Sequence, residues 1–252
     1  MIIRKRRTSV KKIFICIGSG LVLFSLSHAN LQAQEVTFRW FGQACFQIIT
    51  SQNSVIVADP MAMGGYAIPK DVKADIVTIS HEHSDHNRVD AVAGSPIVLR
   101  GLGEEPIERT IKDVKIYSVD SFHDDTQGSQ RGENAIFVFE FDGIRVAHLG
   151  DLGHTLTEAQ VEKIGRIDVL MIPIGGRYTI FGDQADRVIE QLEPKMIVFP
   201  MHFKTAAAQF LPYSGDDFVQ GKSHVKKTDG NTFTLDLKNP PQELQFVVLN
   251  YK

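Results

Sequence analysis

The chain has 252 residues, 43% of them hydrophobic and 23% charged, and a formal net charge of −3. That composition suits an ordinary globular protein and excludes a disordered chain, a collagen-like repeat and a disulfide-built miniature, for which two cysteines are too few. The charge is uneven: residues 1–33 hold Arg4, Lys5, Arg6, Arg7, Lys11 and Lys12 and no acid, so removing these six positive charges from −3 leaves −9 on the remainder.

Behind the basic cluster comes an apolar run, 13–26, broken only by Gly18, Ser19, Gly20 and Ser25, and then a small-residue stretch, 27–33. The run is shorter than the ~18 to 20 residues of a spanning helix, and the order reads as a secretory signal peptide at 1–33, cleaved after Ala29 or Ala33. The product is then periplasmic or secreted, with no stable membrane insertion. Arg6-Arg7 partly resembles a twin-arginine signal, which suits a protein exported with its cofactor in place. Cys16 leaves with the signal, and Cys45, in the apolar run Ala44-Cys45-Phe46, reads as a buried small hydrophobe.

Residues 34–252 read as one domain, with no linker, repeat or charge block dividing them. Short β-rich runs predict strands at 36–40, 45–50, 54–58, 76–79, 97–99, 114–119, 135–141, 144–149, 169–174, 196–199, 232–237 and 244–249. Several are too uniformly apolar to have a wet face, so the sheets should be covered outside. Two helices are signalled. Thr157 and Gln160 form a capping box with Leu156 and Val161 as its staple, and Asp183 is placed to cap a helix through Ala185, Val188, Ile189 and Leu192 that Pro194 stops. Many strands with few helices predict an α/β or α+β sandwich.

The most informative motif follows the 76–79 strand: His81-Glu82-His83-Ser84-Asp85-His86. Spacing of i, i+2 in extended backbone aims His81 and His83 to one side, and Asp85 and His86, past a turn, can face a second ion ~3.5 to 4 Å from the first. Imidazole with carboxylate suits zinc, iron or manganese. His123, Asp151 and His202 each follow a predicted strand too, and strand ends are where functional groups collect in α/β folds.

On these residues the chain resembles the metallo-β-lactamase-fold superfamily, a four-layer αββα sandwich. His81-x-His83-x-Asp85-His86 matches its HxHxDH signature, with His123, Asp151 and His202 following in order. Gly150-Asp151-Leu152-Gly153-His154 and Pro200-Met201-His202-Phe203-Lys204-Thr205 are similar to metal-dependent hydrolases related to ascorbate phosphate lactonase. Gln43, in Trp40-Phe41-Gly42-Gln43-Ala44, stands where that group commonly has histidine. The resemblance implies that His81, His83 and His123 hold one metal and Asp85, His86 and His202 a second, with Asp151 bridging. It also implies two divalent ions, zinc first and manganese or iron(II) as alternatives, with a bridging hydroxide as nucleophile.

Around the motif, several residues keep two readings. Asp59 orients a ligand imidazole or caps the turn at Pro60. His154 donates a proton to substrate or leaving group, or caps the following helix. Arg177, Tyr178 and Lys204 grip a substrate anion or are solvated rim residues. His148 reads as a satisfied core histidine, His224 as exposed loop, and Glu82 as pointing away from the motif. The expected function is an exported dinuclear hydrolase acting on a small ester, lactone, amide or phosphodiester. The alternatives are a nuclease or phosphodiesterase, against which the charge of −9 weighs, and an iron redox or metal-binding protein on the same fold. A small-molecule partner is expected, and no nucleic acid.

Overall fold

The structure, a computed structural model, describes residues 34–252. The segment read as an export signal lies outside the described residues. Strands β1 (Glu35–Gly42), β2 (Cys45–Ile49), β3 (Val55–Ala58), β4 (Ile76–Ile79), β5 (Ile97–Arg100) and β13 (Thr232–Asp236) form a six-stranded sheet in the order β13-β1-β2-β3-β4-β5. The second sheet has eight strands: β6 (Glu108–Ile111), β7 (Val114–Phe122), β8 (Glu133–Phe141), β9 (Ile144–His148), β10 (Val169–Pro173), β11 (Ile197–Met201), β12 (Val225–Lys227) and β14 (Gln245–Val248), ordered β12-β14-β11-β10-β9-β8-β7-β6.

All twelve apolar runs became strands. The two that pattern reading missed, β6 and β12, are the two edges of the eight-stranded sheet and are mostly exposed. An edge strand is paired on one side only and carries charge to discourage further pairing, so Glu108, Arg109, Lys226 and Lys227 hide its signal.

Alternation along the strands divides the interior. On β2, β3 and β4, Phe46, Ile56 and Ile76 join the main core between the sheets, while Cys45, Val57 and Val77 face a smaller cluster with Met61, Tyr66, Val72 and Leu211. Loop segments with one 3-10 turn (Val89–Ala91) thus cover the outer face of the six-stranded sheet. Burial pushes the Cys45 thiol well up, so it behaves as a small apolar group. Helices α1 (Glu158–Ile164) and α2 (Gly182–Leu192) add their buried residues to the main core, and the whole is the αββα metallo-β-lactamase sandwich. Helix α1 has the expected Thr157/Gln160 capping box. Helix α2 starts earlier than expected: Phe181 is the cap residue, with its N–H held by Gln184 at 3.0 Å, and Asp183 sits in the first turn, where its charge suits the helix dipole. Helix α3 (Gly215–Val219), capped by Ser214, is too short to have shown a period.

Phe199 on β11 joins the sheets. Its ring centroid lies 5.1 Å from Phe38, 5.8 Å from Phe46 and 5.7 Å from Phe233. Phe199→Ala should cost about 3 to 5 kcal/mol, read as a lower urea midpoint with an unchanged slope; a loss under about 1 kcal/mol would show that the inter-sheet contact closes around the gap.

Candidate metal centre

Five strand ends deliver the polar groups. Asp59 follows β3, Ser80 and His81 follow β4, His123 follows β7, Asp151 comes three residues after β9, and His202 follows β11. Backbone hydrogen bonds tie the sheets at this rim: Ala135 N to Ser80 O at 2.9 Å and His202 N to Gln43 O at 3.0 Å. His148 adds a third tie, Nε2 to Ala44 O at 2.7 Å, while its Nδ1 accepts from Gly150 N at 3.3 Å. It is a satisfied core histidine. Gly150 has a φ of +55°, and a Cβ there would strike Asn134 Oδ1 and Ser80; one at Gly153 would strike the backbone at His123 and Asp124. Only glycine permits so close an approach.

The centre of the arrangement is Asp151. Its Oδ2 lies 3.2 Å from His86 Nε2, 3.2 Å from His123 Nε2 and 3.3 Å from His202 Nε2, all but sealed from solvent. His81 Nε2 and His83 Nδ1 stand 2.9 Å apart beside them, and Asp85 Oδ2 is 3.7 Å from His86 Nε2. Ligand-competent atoms gather in three sets: His81, His83 and His123; His81, His86 and Asp151; and Asp85, His86 and His202. Asp151 Oδ1 and His86 Nε2 are buried without a hydrogen-bond partner, as are the Nδ1 atoms of His123 and His202. Buried polar atoms are ordinarily paired, so the Asp151 oxygen and the His86 nitrogen left unpaired at this point fit a cation there. The donors are all nitrogen and oxygen, which suits zinc, iron(II) or manganese.

Asp59 holds two of the imidazoles. Fully buried, it accepts His86 Nδ1–H at 2.9 Å and the Ser80 hydroxyl at 2.6 Å, and that hydroxyl lies 3.0 Å from His81 Nδ1. Fixing the Nδ1 side turns each Nε2 toward the centre. Gln43, Asp59 and His202 take left-handed φ values of 46°, 46° and 49°. Such backbone persists only where surroundings over-determine it. Asn134, fully buried, steadies Asp151: its Oδ1 accepts Asp151 N–H at 2.9 Å, while its Nδ2 donates to Ser121 Oγ at 2.7 Å and Leu149 O at 3.0 Å.

Burial is the largest influence on Asp59, His81, His83, His86, Asp151 and His202, and their neighbours oppose it or add to it. It pushes the Asp151 carboxyl up, but the charges of His202 and His86 and the close approach of the His123 and His86 ring nitrogens hold it well below the usual range. Asp59 is also lowered, burial being outweighed by His86. Burial and the nearby His86 bring His81 down to about 3. His83 and His202 are lowered by burial, and His86 is raised because Asp151 and Asp59 outweigh burial.

The other expected residues divide. Tyr178 lines the pocket over the centre, a cavity of about 570 Å³ that also takes in Gln43, His83, Gln130, Arg131 and Phe210. Arg177 faces an adjoining hollow and donates to Phe210 O at 3.1 Å. Lys204 is exposed beside Asp217 and does not line the pocket. His154 is corrected: its Nε2 accepts Phe122 N–H at 3.1 Å and its Nδ1 bonds Thr155 O at 2.7 Å, so neither nitrogen is free to donate a proton to a substrate. Glu82 points outward to Arg100, and His224 is exposed. Sequence reasoning missed Arg131, whose placement comes from a loop. The Asp124 carboxylate accepts the N–H groups of Thr126, Gly128, Gln130 and Arg131 at 2.7 to 3.0 Å. An Asp before a run rich in turn residues was the available signal.

The family described as Beta-lactamase superfamily domain matches residues 37–202, well over half of the chain. The UPF0173 metal-dependent hydrolase of Thermococcus onnurineus is 32% identical over 197 residues, covering 68% of this chain and 85% of that protein. That of Pyrococcus abyssi is 28% identical over 238 residues, 83% of this chain and 99% of its own length. A crystal structure from Thermotoga maritima, designated a Zn-dependent hydrolase of the metallo-beta-lactamase superfamily, aligns with a TM-score of 0.70 and 41% identity, over 85% of this chain and 98% of that one. The chain belongs to the metallo-β-lactamase superfamily and, within it, to the UPF0173 metal-dependent hydrolases.

The imidazoles set a pH dependence for the metal-free protein. His81, His83, His148 and His202 are lowered, so below the unfolded value of ~6.5 the unfolded chain binds protons that the folded site refuses, and stability falls. His86 has the opposite sign: its stabilisation is fully present below ~6.5 and is lost as pH rises through its raised value. The depressed carboxyls of Asp59 and Asp151 stabilise above the unfolded ~3.9 and lose that as pH falls through their folded values. Four imidazoles outweigh one, so with chelator present the urea midpoint should be lower near pH 5 than near pH 7. A midpoint that rises on acidification would contradict the neutral-imidazole assignment.

Proposed function

We propose that the chain is an exported dinuclear metallohydrolase acting on a small ester or lactone, with amides and phosphodiesters in chemical reach. The observation that carries the reading is the single buried Asp151 oxygen 3.2 to 3.3 Å from three imidazole nitrogens, between two sets of ligand-competent atoms. In this reading His81, His83 and His123 hold one ion, Asp85, His86 and His202 the other, and Asp151 stands between. Two divalent ions, zinc in our proposal, would supply Lewis acidity there and would lower the pKa of water at the centre. The resemblance of the Gly150 to His154 and Pro200 to Thr205 segments to hydrolases related to ascorbate phosphate lactonase supports putting a lactone or ester first.

The chain's own residues then bind and orient. Asp59 keeps His86 and, through Ser80, His81 aimed inward. The pocket of about 570 Å³ suits a small molecule. Among the described residues, and apart from the candidate ligands, Arg131 is the one charged side chain lining it. Two ions against the carboxylates of Asp85 and Asp151, with Arg131 added, favour a substrate bearing negative charge. The edge-to-face pair of Tyr178 and Phe210, centroids 6.1 Å apart, offers its apolar part a wall. Export is supported by the basic, apolar and small-residue order of residues 1–33.

Three measurements test this. Elemental analysis of the reconstituted protein should find close to two metals per chain; less than half an equivalent would end the dinuclear reading. Asp151→Ala should abolish hydrolysis while the protein stays folded by circular dichroism, and undiminished turnover would show that Asp151 is not at the centre of the chemistry. Arg131→Gln should raise KM about tenfold for a carboxylate-bearing ester and leave its neutral analogue nearly unchanged; equal effects on both would remove Arg131 from substrate binding.

A further inference from the structure

Gln43 sits in the tight turn between β1 and β2. Its backbone is occupied: the carbonyl accepts Trp40 Nε1–H at 2.9 Å and His202 N–H at 3.0 Å. Its side chain is not spent on the fold. The residue is 1% exposed and lines the pocket, with Oε1 lacking any hydrogen-bond partner and Nε2 3.3 Å from His202 Nε2. That nitrogen is the one His202 turns toward Asp151.

A bond from an amide N–H needs the lone pair of His202 Nε2, and an imidazole nitrogen that ligates a cation has no lone pair to share. Once the centre is loaded, both ends of the Gln43 carboxamide are therefore buried and unpaired. Such a group costs free energy until something in the pocket satisfies it. Nor does Gln43 steer the His202 ring, because the steering atom of a ligating imidazole is its other nitrogen, here Nδ1, which has no partner.

We infer that Gln43 is a substrate-contacting residue, its Nε2–H donating to the substrate oxygen that gathers negative charge beside His202. This rests on the hydrolase reading above. A donor fixed in advance at that point stabilises an oxyanion without rearrangement, and a carboxamide, unlike histidine, keeps its protons at every working pH. Oε1 remains free to accept from a hydroxyl or N–H of the same substrate.

The test uses the metal-loaded protein, with inorganic phosphate as an oxyanion probe followed by calorimetry and hydrolysis followed separately. Gln43→Leu removes the amide at nearly constant shape. Gln43→Asn retracts it by one methylene and suits the left-handed backbone, which covers the case in which leucine at that φ prevents folding. Both variants should keep the wild-type metal content and the wild-type visible spectrum of the cobalt-substituted protein. Both should bind phosphate about tenfold more weakly, and kcat should fall about ten- to a hundredfold with KM changed far less. Phosphate affinity and kcat within about twofold of wild type would overturn the inference. So would loss of a metal or an altered cobalt spectrum, since the residue would then be holding His202. If the wild type binds metals and phosphate yet hydrolyses no ester or lactone, the hydrolase reading fails, and the phosphate comparison still decides the role of Gln43.

Discussion

Everything at this site depends on one negative charge held out of water. Asp151 is 2% exposed, and an isolated carboxylate so placed would take up a proton instead of staying ionised. It stays ionised because three imidazole nitrogens converge on one of its oxygens, and because Asp59, a second buried carboxylate, faces the far side of His86. The neighbours of each group differ: Asp151 has imidazoles around it and His86 has two carboxylates, whereas His81 has His86 beside it and His83 has His123. That difference is why burial, the largest influence on each group, is overcome at Asp151 and His86 and wins at His81, His83 and His202.

Holding that charge demands stiffness, and two sheets supply it. The candidate ligands come from both sheets and meet where backbone hydrogen bonds lock Ser80 to Ala135 and Gln43 to His202. Strand ends are poorer in freedom than loops, so a site built on them keeps its geometry to fractions of an ångström. The inter-sheet aromatic cluster around Phe199 makes the meeting angle resistant to change. Left-handed backbone at Gln43, Asp59 and His202 is the local cost, and the surrounding packing offsets it.

Outside the centre, the wall of the pocket is built by loops. Asp124 gathers the N–H groups of its own loop and so sets Arg131 above Tyr178, with the guanidinium 5.9 Å from the ring centroid and Nη2 on Arg177 O at 3.0 Å. Phe210 comes from a separate segment after β11. A rigid centre with a loop-built mouth lets one chemistry serve different substrates.

Much was legible in the sequence because it is written locally. Short β-rich apolar runs marked twelve strands, and three histidines and an aspartate within six residues marked the metal motif, since each depends on neighbours a few positions away. Order along the chain also matched His123, Asp151 and His202 to strand ends. Edge strands β6 and β12 were hidden because being half-paired removes the apolar pattern. His154 and Lys204 sit within three residues of Asp151 and His202, yet adjacency along the chain says nothing about direction: one ring is bonded to backbone and the other side chain points to solvent. Arg131 and the unpaired amide of Gln43 became visible only when segments far apart in the chain were brought together. Strand, cap and motif follow from short-range sterics and burial, which the sequence determines by itself. Which polar group faces the centre, and which is left without a partner there, depends on contacts between distant segments, and only the tertiary structure decided it.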